Sequence, residues 1–524
     1  MSASKSAPAR ADGPPADVSN VLSPADYPNT FAAKTPDRLA LVFDKYSFTY
    51  AELDRACNAM VTLLGEEGVK SGDRVAYVGR NNDLYFVVMI ACMRAGIVLV
   101  PVNWRNTAAE TRYVFDDSGS KLIFADREFV PICQEADTQN RAMVVVDEDA
   151  FRDRLARTAP APRAAFDPQG NSLQLYTSGT TGKPKGVLTK QFALAVQRHL
   201  EKVAPHFNDW QDDEILLSPL PSFHIGGLSW VMTGLCRGVT THVTPDATPA
   251  GILDQCLAHN ITRTFMVPTL VRALIGEMMS RDVRVKSLRA IHYGAAPMDA
   301  ALVERSVGTL GCKFMHYFGM TEISGCVTTL GPDEHDVARP HLLRSVGRAL
   351  PSFSIEIRGP DKELLKIDEP GEIWIKGPSV FTEYWNRPEA TTEALIDGWY
   401  RSGDGGRLDA DGYLYLTDRI KDMINSGGEN VYPAEVEAVL RDHPAILDCA
   451  VFGLPHPKWG EGVTAAIELK PGQTTDADDV IAFARKSLAA YKIPRRIELG
   501  VTLPRTASGK VQRGAIRKHF LDKE

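Results

Sequence analysis

What this chain lacks narrows its chemistry first. Its eight cysteines, Cys57, Cys92, Cys133, Cys236, Cys256, Cys312, Cys326 and Cys449, contain no C-x-x-C pair. Neither a zinc ribbon nor a thioredoxin-type motif is therefore expected, and scattered cysteines in a long chain suit a reducing compartment. Positive charge is not in excess: 59 Lys and Arg stand against 66 Asp and Glu, for a net charge of −7. A basic nucleic-acid-binding surface is thus not indicated. The most apolar run, LYFVVMIACM, ends at Arg94 and is too short to cross a bilayer. The opening MSASKSAPARADGPPADVSN has no apolar signal segment, and the closing LDKE is not a peroxisomal address. A cytoplasmic protein without a membrane span is the expectation.

What is present is the composition of an enzyme too long for one core. The 524 residues are 44% hydrophobic and 24% charged, and such a length predicts two or more domains. RVAYVG (74–79), GIVLVPV (96–102) and KLIFAD (121–126) read as strands, with a buried helix between the first two. This is a βαβ pattern, hence α/β with a largely parallel sheet. It returns at 213–221, 261–268 and 287–297. Near residue 350 the pattern changes. SFSIEIRG, GEIWIKG and GYLYLTDR alternate at period two and read as antiparallel hairpins. Beyond Arg419 comes a small unit with helices at 434–443 and in DDVIAFARKSLAA, and strands in AILDCAVFGLP and GVTAAIEL. The expected fold class is α/β: a large N-terminal domain of α/β sheets with a small β subdomain over 29–418, and a small α+β C-terminal domain over 419–524. Residues 1–28, rich in Ala, Ser and Pro, read as a flexible tail.

One loop stands out. YTSGTTGKPKGV, residues 176–187, joins two predicted strands. It is not a Walker loop, which needs G-x-x-x-x-G-K-[ST] and runs from a strand into a helix. Here Gly179 and Gly182 are too close together, and Pro184 follows Lys183. The hydroxyls of Thr177, Ser178, Thr180 and Thr181 and the glycine backbone can still wrap phosphate oxygens. Lys183 or Lys185 can add charge. The plainer alternative is a solvated turn, which the same residue types favour.

With its neighbours, this loop makes the chain resemble the adenylate-forming family of acyl-CoA synthetases, carrier-protein adenylation domains and beetle luciferases. YTSGTTGKPKGV looks like that family's phosphate-loop signature. YGAAP (293–297), YFGMTE (317–322), WYRSGD (399–404), DRIKD (418–422) and PRTASGK (504–510) follow in family order. The resemblance implies that a carboxylate and ATP give an acyl adenylate and pyrophosphate, after which a thiol, usually that of coenzyme A, displaces AMP. It also implies residue roles. Lys510 would bridge the carboxylate and the α-phosphate, and Glu322 would hold Mg²⁺. Thr321 would bond the α-phosphate. Phe318 would stack on adenine where the family more often has Tyr, with Tyr317, Gly319, Gly294, Ala295, Ala296 and Pro297 completing the pocket. Asp404 would accept the ribose hydroxyls, with Arg419 near the same sugar. His224, in FHIGG, would be an aromatic gate beside the carboxylate. The need for cations follows from physics, because two anions a few ångströms apart repel by several kcal/mol at an intermediate dielectric.

The same resemblance implies that the small domain is mobile, turning about Lys421 between the two half-reactions. Gly427 and Gly428, in NSGGENVYP, would then approach the pantetheine tunnel. By position, Trp459, Tyr491 and Arg105 would contact the nucleotide end of coenzyme A. Ile225, Gly226, Met266, Tyr317, Gly319, Ser324 and Gly325 would join His224 around the acyl group. The glycines at 226, 319 and 325 are expected to leave room, and with no Trp in HYFGMTE the expectation is a medium or large fatty, aryl or alicyclic acid. The expected ligands are thus ATP, Mg²⁺, coenzyme A and a small carboxylic acid, with a homodimer left open. The rival readings are an enzyme that loads a separate carrier protein, a luciferase-like monooxygenase and a nucleotide-binding regulator without catalysis. The last would be expected to lack Lys510 or Glu322.

Overall fold

A computed structural model describes residues 7–162, 167–177, 184–204, 209–245, 247–294, 298, 300–419, 422, 424–426, 429–431, 433–457, 459–488, 490–505 and 511–522. The βαβ reading is realised. Strands Arg74–Val78, Val98–Val102 and Leu122–Ala125 lie parallel, with Arg74–Val78 in the middle. The helix Asp83–Ala95 connects the first two. Asn82 caps it by accepting a hydrogen bond from the Tyr85 amide at 2.7 Å, and Gly96, at φ 67°, ends it in the left-handed region. Its twelve residues from Asp83 to Arg94 are buried, so it reads as apolar all round rather than amphipathic.

These strands belong to a seven-stranded sheet. It continues through Asn171–Thr177 and Lys185–Lys190 to the short edge strand Glu383–Tyr384. A nine-stranded sheet carries Lys313–Met320, Ala290–Gly294, Arg263–Met266, Ile215–Ser218, Thr240–Val243 and Leu39–Phe43 as a parallel run, with antiparallel strands at both edges. The expected hairpins form a six-stranded sheet in which Ser354–Arg358, Gly371–Lys376, Trp399–Leu408 and Leu414–Arg419 pair antiparallel in sequence. The C-terminal unit has its own five-stranded sheet and its own core around Val436, Cys449, Val463 and Val480. The fold is therefore α/β, with a large N-terminal and a small C-terminal domain.

The N-terminal segment departs from its expectation. Arg10–Asp12 is not a loose tail but the edge strand of the six-stranded sheet, antiparallel to Ser354–Arg358. Ala9 is fully buried with Phe353, Ile355 and Ile357. Its amide donates to the Leu365 carbonyl at 2.8 Å, and Arg10 pairs with Glu356 at 3.4 Å. Composition measures how much apolar side chain a segment can bury. A sheet edge offers backbone partners to any sequence, and small Ala side chains suit the close approach.

Candidate active site

The phosphate-loop motif is held at its base. Asn171–Thr177 and Lys185–Lys190 pair antiparallel, with Thr177 opposite Lys185, as the two-strand reading requires. The Tyr176 hydroxyl donates to Asp117 at 2.8 Å, and the Tyr113 hydroxyl donates to the Pro184 carbonyl at 2.8 Å, so both ends of the loop are fixed. Residues 178–183, which include Ser178, Gly179, Thr180, Thr181, Gly182 and Lys183, lie outside the described residues.

The YGAAP and YFGMTE motifs meet as neighbouring parallel strands. Gly294 stands opposite Tyr317, and a Cβ on Gly294 would lie 2.5 Å from the Tyr317 carbonyl oxygen, so only glycine permits this approach. Residues 295–297 are not described. Lys313–Met320 ends in a bulge between Phe318 and Gly319, after which Thr321–Ile323 makes a single 3-10 turn. That turn buries Glu322, which is 8% exposed. Its Oε1 accepts the Tyr384 hydroxyl at 3.0 Å, and its carbonyl accepts the Phe381 amide at 2.8 Å.

Asp404 lies on Trp399–Leu408 directly across from Arg419, so the ladder makes neighbours of the two residues expected at the ribose. The Asp404 amide donates to Ser402 Oγ at 3.1 Å. Burial, and then the negative charges of Glu322 and Asp404 with Tyr384 beside them, push the Tyr400 hydroxyl well above its ordinary range. The structure thus brings Lys185 and Glu322 together at Tyr384.

His224 is the N-cap of the helix Ile225–Arg237, and its ring lies tilted at 53° to Phe223 with centroids 4.4 Å apart. Burial, aided by the Arg105 charge, pushes its imidazolium down to about 4, so the ring is neutral near pH 7. Arg105, expected at coenzyme A, lies 4.0 Å over Trp104 and 6.0 Å from Phe223. In the small domain, Trp459 lies beneath Arg495 at 4.5 Å and Tyr491 beside Lys492 at 5.6 Å. No ring contact joins Arg105 to either among the described residues. Lys421, Gly427, Gly428 and Lys510 fall outside those residues.

The acyl-pocket expectation needs correction. A Cβ on Gly226 would come within 3.2 Å of the Phe265 ring. One on Gly319 would collide with the Gly325 carbonyl, and one on Gly325 would reach Arg198 Nη2 at 2.6 Å. The three glycines permit close packing; they do not leave room. Met266 is fully buried on the other face of its strand, with Leu217, Ile291 and Tyr293. Ser324 is fully buried and donates to the Ser379 carbonyl at 3.2 Å. Ile225 packs against the main core. Phe265 meets the Tyr317 ring edge-on, at 5.7 Å and 81°, while His292 stacks on it at 5.5 Å and 19°. Strand alternation was the available signal, since Phe265 shares a face with Arg263 and not with Met266. Tyr317 itself is fixed by a 2.7 Å bond to His292 Nδ1.

Tyr384 was also missed. Its place follows from sheet register, opposite Val187, and no local motif announces that. A Mg²⁺ ion suits the oxygen donor that Glu322 offers. Among the described residues no three His, Cys, Asp or Glu side chains cluster to form a metal cage. One carboxylate completed by nucleotide oxygens and water is the arrangement Mg²⁺ commonly takes.

Comparison with known proteins now assigns the class. The family described as AMP-binding enzyme matches residues 29–385, and its AMP-binding enzyme C-terminal domain matches 435–510. A fatty acid–[acyl-carrier-protein] ligase, ScoC, from Streptomyces coeruleorubidus is 35% identical over 93% of this chain and 95% of its own. A feruloyl-CoA synthase from an Amycolatopsis species is 36% identical over 94% and 98%. The o-succinylbenzoate CoA synthetase MenE of Bacillus subtilis, solved with an acyl-adenylate intermediate, superposes with a TM-score of 0.84 at 30% identity, covering 95% of this chain and 98% of its own. The chain belongs to the AMP-binding, adenylate-forming enzyme superfamily, and within it to the acyl- and aryl-CoA ligase type. It is an adenylate-forming acid ligase whose acceptor is coenzyme A or an acyl carrier protein. Among the described residues, no helix is long and apolar enough to cross a membrane.

Proposed function

We propose that this protein is an acid–coenzyme A ligase acting on a compact aryl or alicyclic carboxylic acid. The carrying observation is an aromatic wall against Gly226, two residues beyond His224 in FHIGG. Phe265 occupies the space above Gly226, and Trp230 and Tyr317 flank it at 6.0 and 5.7 Å. This wall does not yield easily. Tyr317 is bonded to His292, and the Trp230 indole donates to the Leu217 carbonyl at 3.0 Å. Fixed ring edges and faces suit a flat or cyclic acid through offset and edge-to-face contacts. A long flexible chain would need the depth that Phe265 takes up.

In this reading the neutral His224 ring borders the acid without exchanging a proton at pH 7. Thr177, Thr321 and residues 178–183 embrace the phosphates, Asp404 and Arg419 hold the ribose, and Phe318 with Gly294 and residues 295–297 borders adenine. Glu322 would hold Mg²⁺, whose charge would offset that of the phosphate oxygens. Lys510 brings the carboxylate oxygen to the α-phosphorus. The small domain, from residue 419 onward, then turns about Lys421 so that Gly427 and Gly428 face the thiol channel, with Arg105, Trp459 and Tyr491 toward coenzyme A. Transfer to a carrier protein is the second reading, favoured by the likeness to the ScoC ligase.

Pyrophosphate release over a panel of benzoic, cinnamic, cyclohexane and C6–C16 fatty acids tests the substrate class. Ring acids are expected to lead. Phe265→Ala should raise the relative kcat/KM for C8–C12 acids roughly tenfold or more, the scale set by one or two buried methylenes. Wild-type preference for C12–C16 acids would overturn the assignment. Supplying preformed acyl adenylate with coenzyme A or with a holo carrier protein separates the two acceptors.

A further inference from the structure

We propose that Tyr384 is a positioning residue that ties the metal-side carboxylate to the phosphate-side lysine of the nucleotide site. This rests on the reading of Glu322 as the Mg²⁺ ligand. Tyr384 is 7% exposed and belongs to the edge strand Glu383–Tyr384, which pairs with Lys185–Lys190 immediately after the phosphate loop. The Trp385 amide donates to the Gly186 carbonyl at 2.7 Å, and the Tyr384 amide donates to Thr391 Oγ1 at 3.0 Å, so the backbone is held on both sides.

The side chain acts in two directions. Its hydroxyl donates to Glu322 Oε1 at 3.0 Å, and its ring face lies 4.9 Å from Lys185 Nζ. Phe381 supports the ring at 4.7 Å and bonds the Glu322 carbonyl through its own amide. A carboxylate oxygen buried as that of Glu322 is needs a hydrogen-bond donor, and the donor fixes its orientation. The hydroxyl supplies the donor, and the ring quadrupole supplies a resting place for the ammonium. One rigid side chain thereby sets the spacing between an anion that recruits the metal and a cation that faces the phosphates. Partners behind a metal ligand commonly change metal affinity by 10- to 100-fold when removed.

The two directions can be separated by measuring ATP binding calorimetrically, without acid, in Mg²⁺ and in EDTA. The ratio of the two dissociation constants reports the coupling between metal and nucleotide. Tyr384→Phe keeps the ring and loses the hydroxyl. It should cut that ratio about tenfold while leaving the EDTA value unchanged. Tyr384→Leu should weaken binding in EDTA as well. Glu322→Gln should lose the ratio by itself, and Glu322→Gln with Tyr384→Phe should be no worse than Glu322→Gln alone. If Glu322→Gln keeps the full ratio, the metal assignment fails. If Glu322→Gln loses it and Tyr384→Phe keeps it, this proposal alone is overturned. Tyr384→Phe is nearly isosteric and decides the matter even where the leucine variant does not fold.

Discussion

Asp126 shows how one buried side chain makes stability depend on pH. It is buried, and it accepts bonds from the Arg80 amide at 2.8 Å, Asn82 Nδ2 at 3.1 Å and the Tyr77 hydroxyl at 3.2 Å. Burial outweighs these donors and pushes its carboxyl up to about 7. In the unfolded chain it would titrate near ~4. Between those values the folded state holds a proton that the unfolded state has released, so stability falls as pH rises through this window and levels off above it. Asp126→Asn should remove the effect. Unfolding free energies measured from pH 5 to 8 should drop in the wild type by as much as ~1.4 kcal/mol per pH unit more than in the variant. Parallel curves would show that Asp126 is already charged at pH 5. At this scale the sequence was legible where motifs fall on paired strands: Thr177 stands opposite Lys185, Gly294 opposite Tyr317 and Asp404 opposite Arg419. It was not legible where a role depends on which face of a strand a residue occupies or what lies across a sheet. Met266 and the three glycines were misread and Phe265 and Tyr384 passed over for that reason.

Among the elements, the parallel strands and the hairpins were readable because their periodicity reports how they are buried. Leu122–Ala125 is buried at every position, as a strand covered on both faces must be. Ser354–Arg358, within SFSIEIRG, ladders antiparallel against Gly371–Lys376, within GEIWIKG, as their alternation implies. The strand Arg10–Asp12 was invisible because its contribution lies in its backbone. Removing residues 1–13 should therefore expose the edge of Ser354–Arg358 and the apolar side chains beside Ala9. We expect a loss of roughly 2 kcal/mol, on the scale of a damaging single substitution, with the affinity for ATP little changed. Calorimetric unfolding of the truncated protein would check this, and an unaltered Tm would show that the strand adds nothing to the fold.

For the whole molecule, two half-reactions on one chain make opposite demands. In the function we propose, Lys510 serves when the carboxylate meets ATP and would stand in the way when the thiol arrives. Lys510→Ala should slow adenylation by roughly two to three orders of magnitude, the usual scale for one preorganised electrostatic group, yet leave thioester formation from a supplied acyl adenylate. If residue 421 is the proposed hinge, Lys421→Pro should leave adenylation and block the thioester half, because proline fixes φ where that rotation would need a large backbone change. Equal damage to both halves by either variant would contradict rotation about residue 421. The order of the motifs made the class legible from sequence, since each motif carries a separate demand of the chemistry. The acid was not legible, because the pocket we propose for it draws on Phe265, Trp230 and Tyr317 from three elements. The claim beneath all of this is that the acid is activated as an adenylate before any thiol takes part. Exchange of labelled pyrophosphate into ATP tests it directly. The exchange should appear with Mg²⁺ and a ring-bearing carboxylic acid, without coenzyme A. Exchange that requires the thiol, or that is absent with every acid of the panel, would contradict the account.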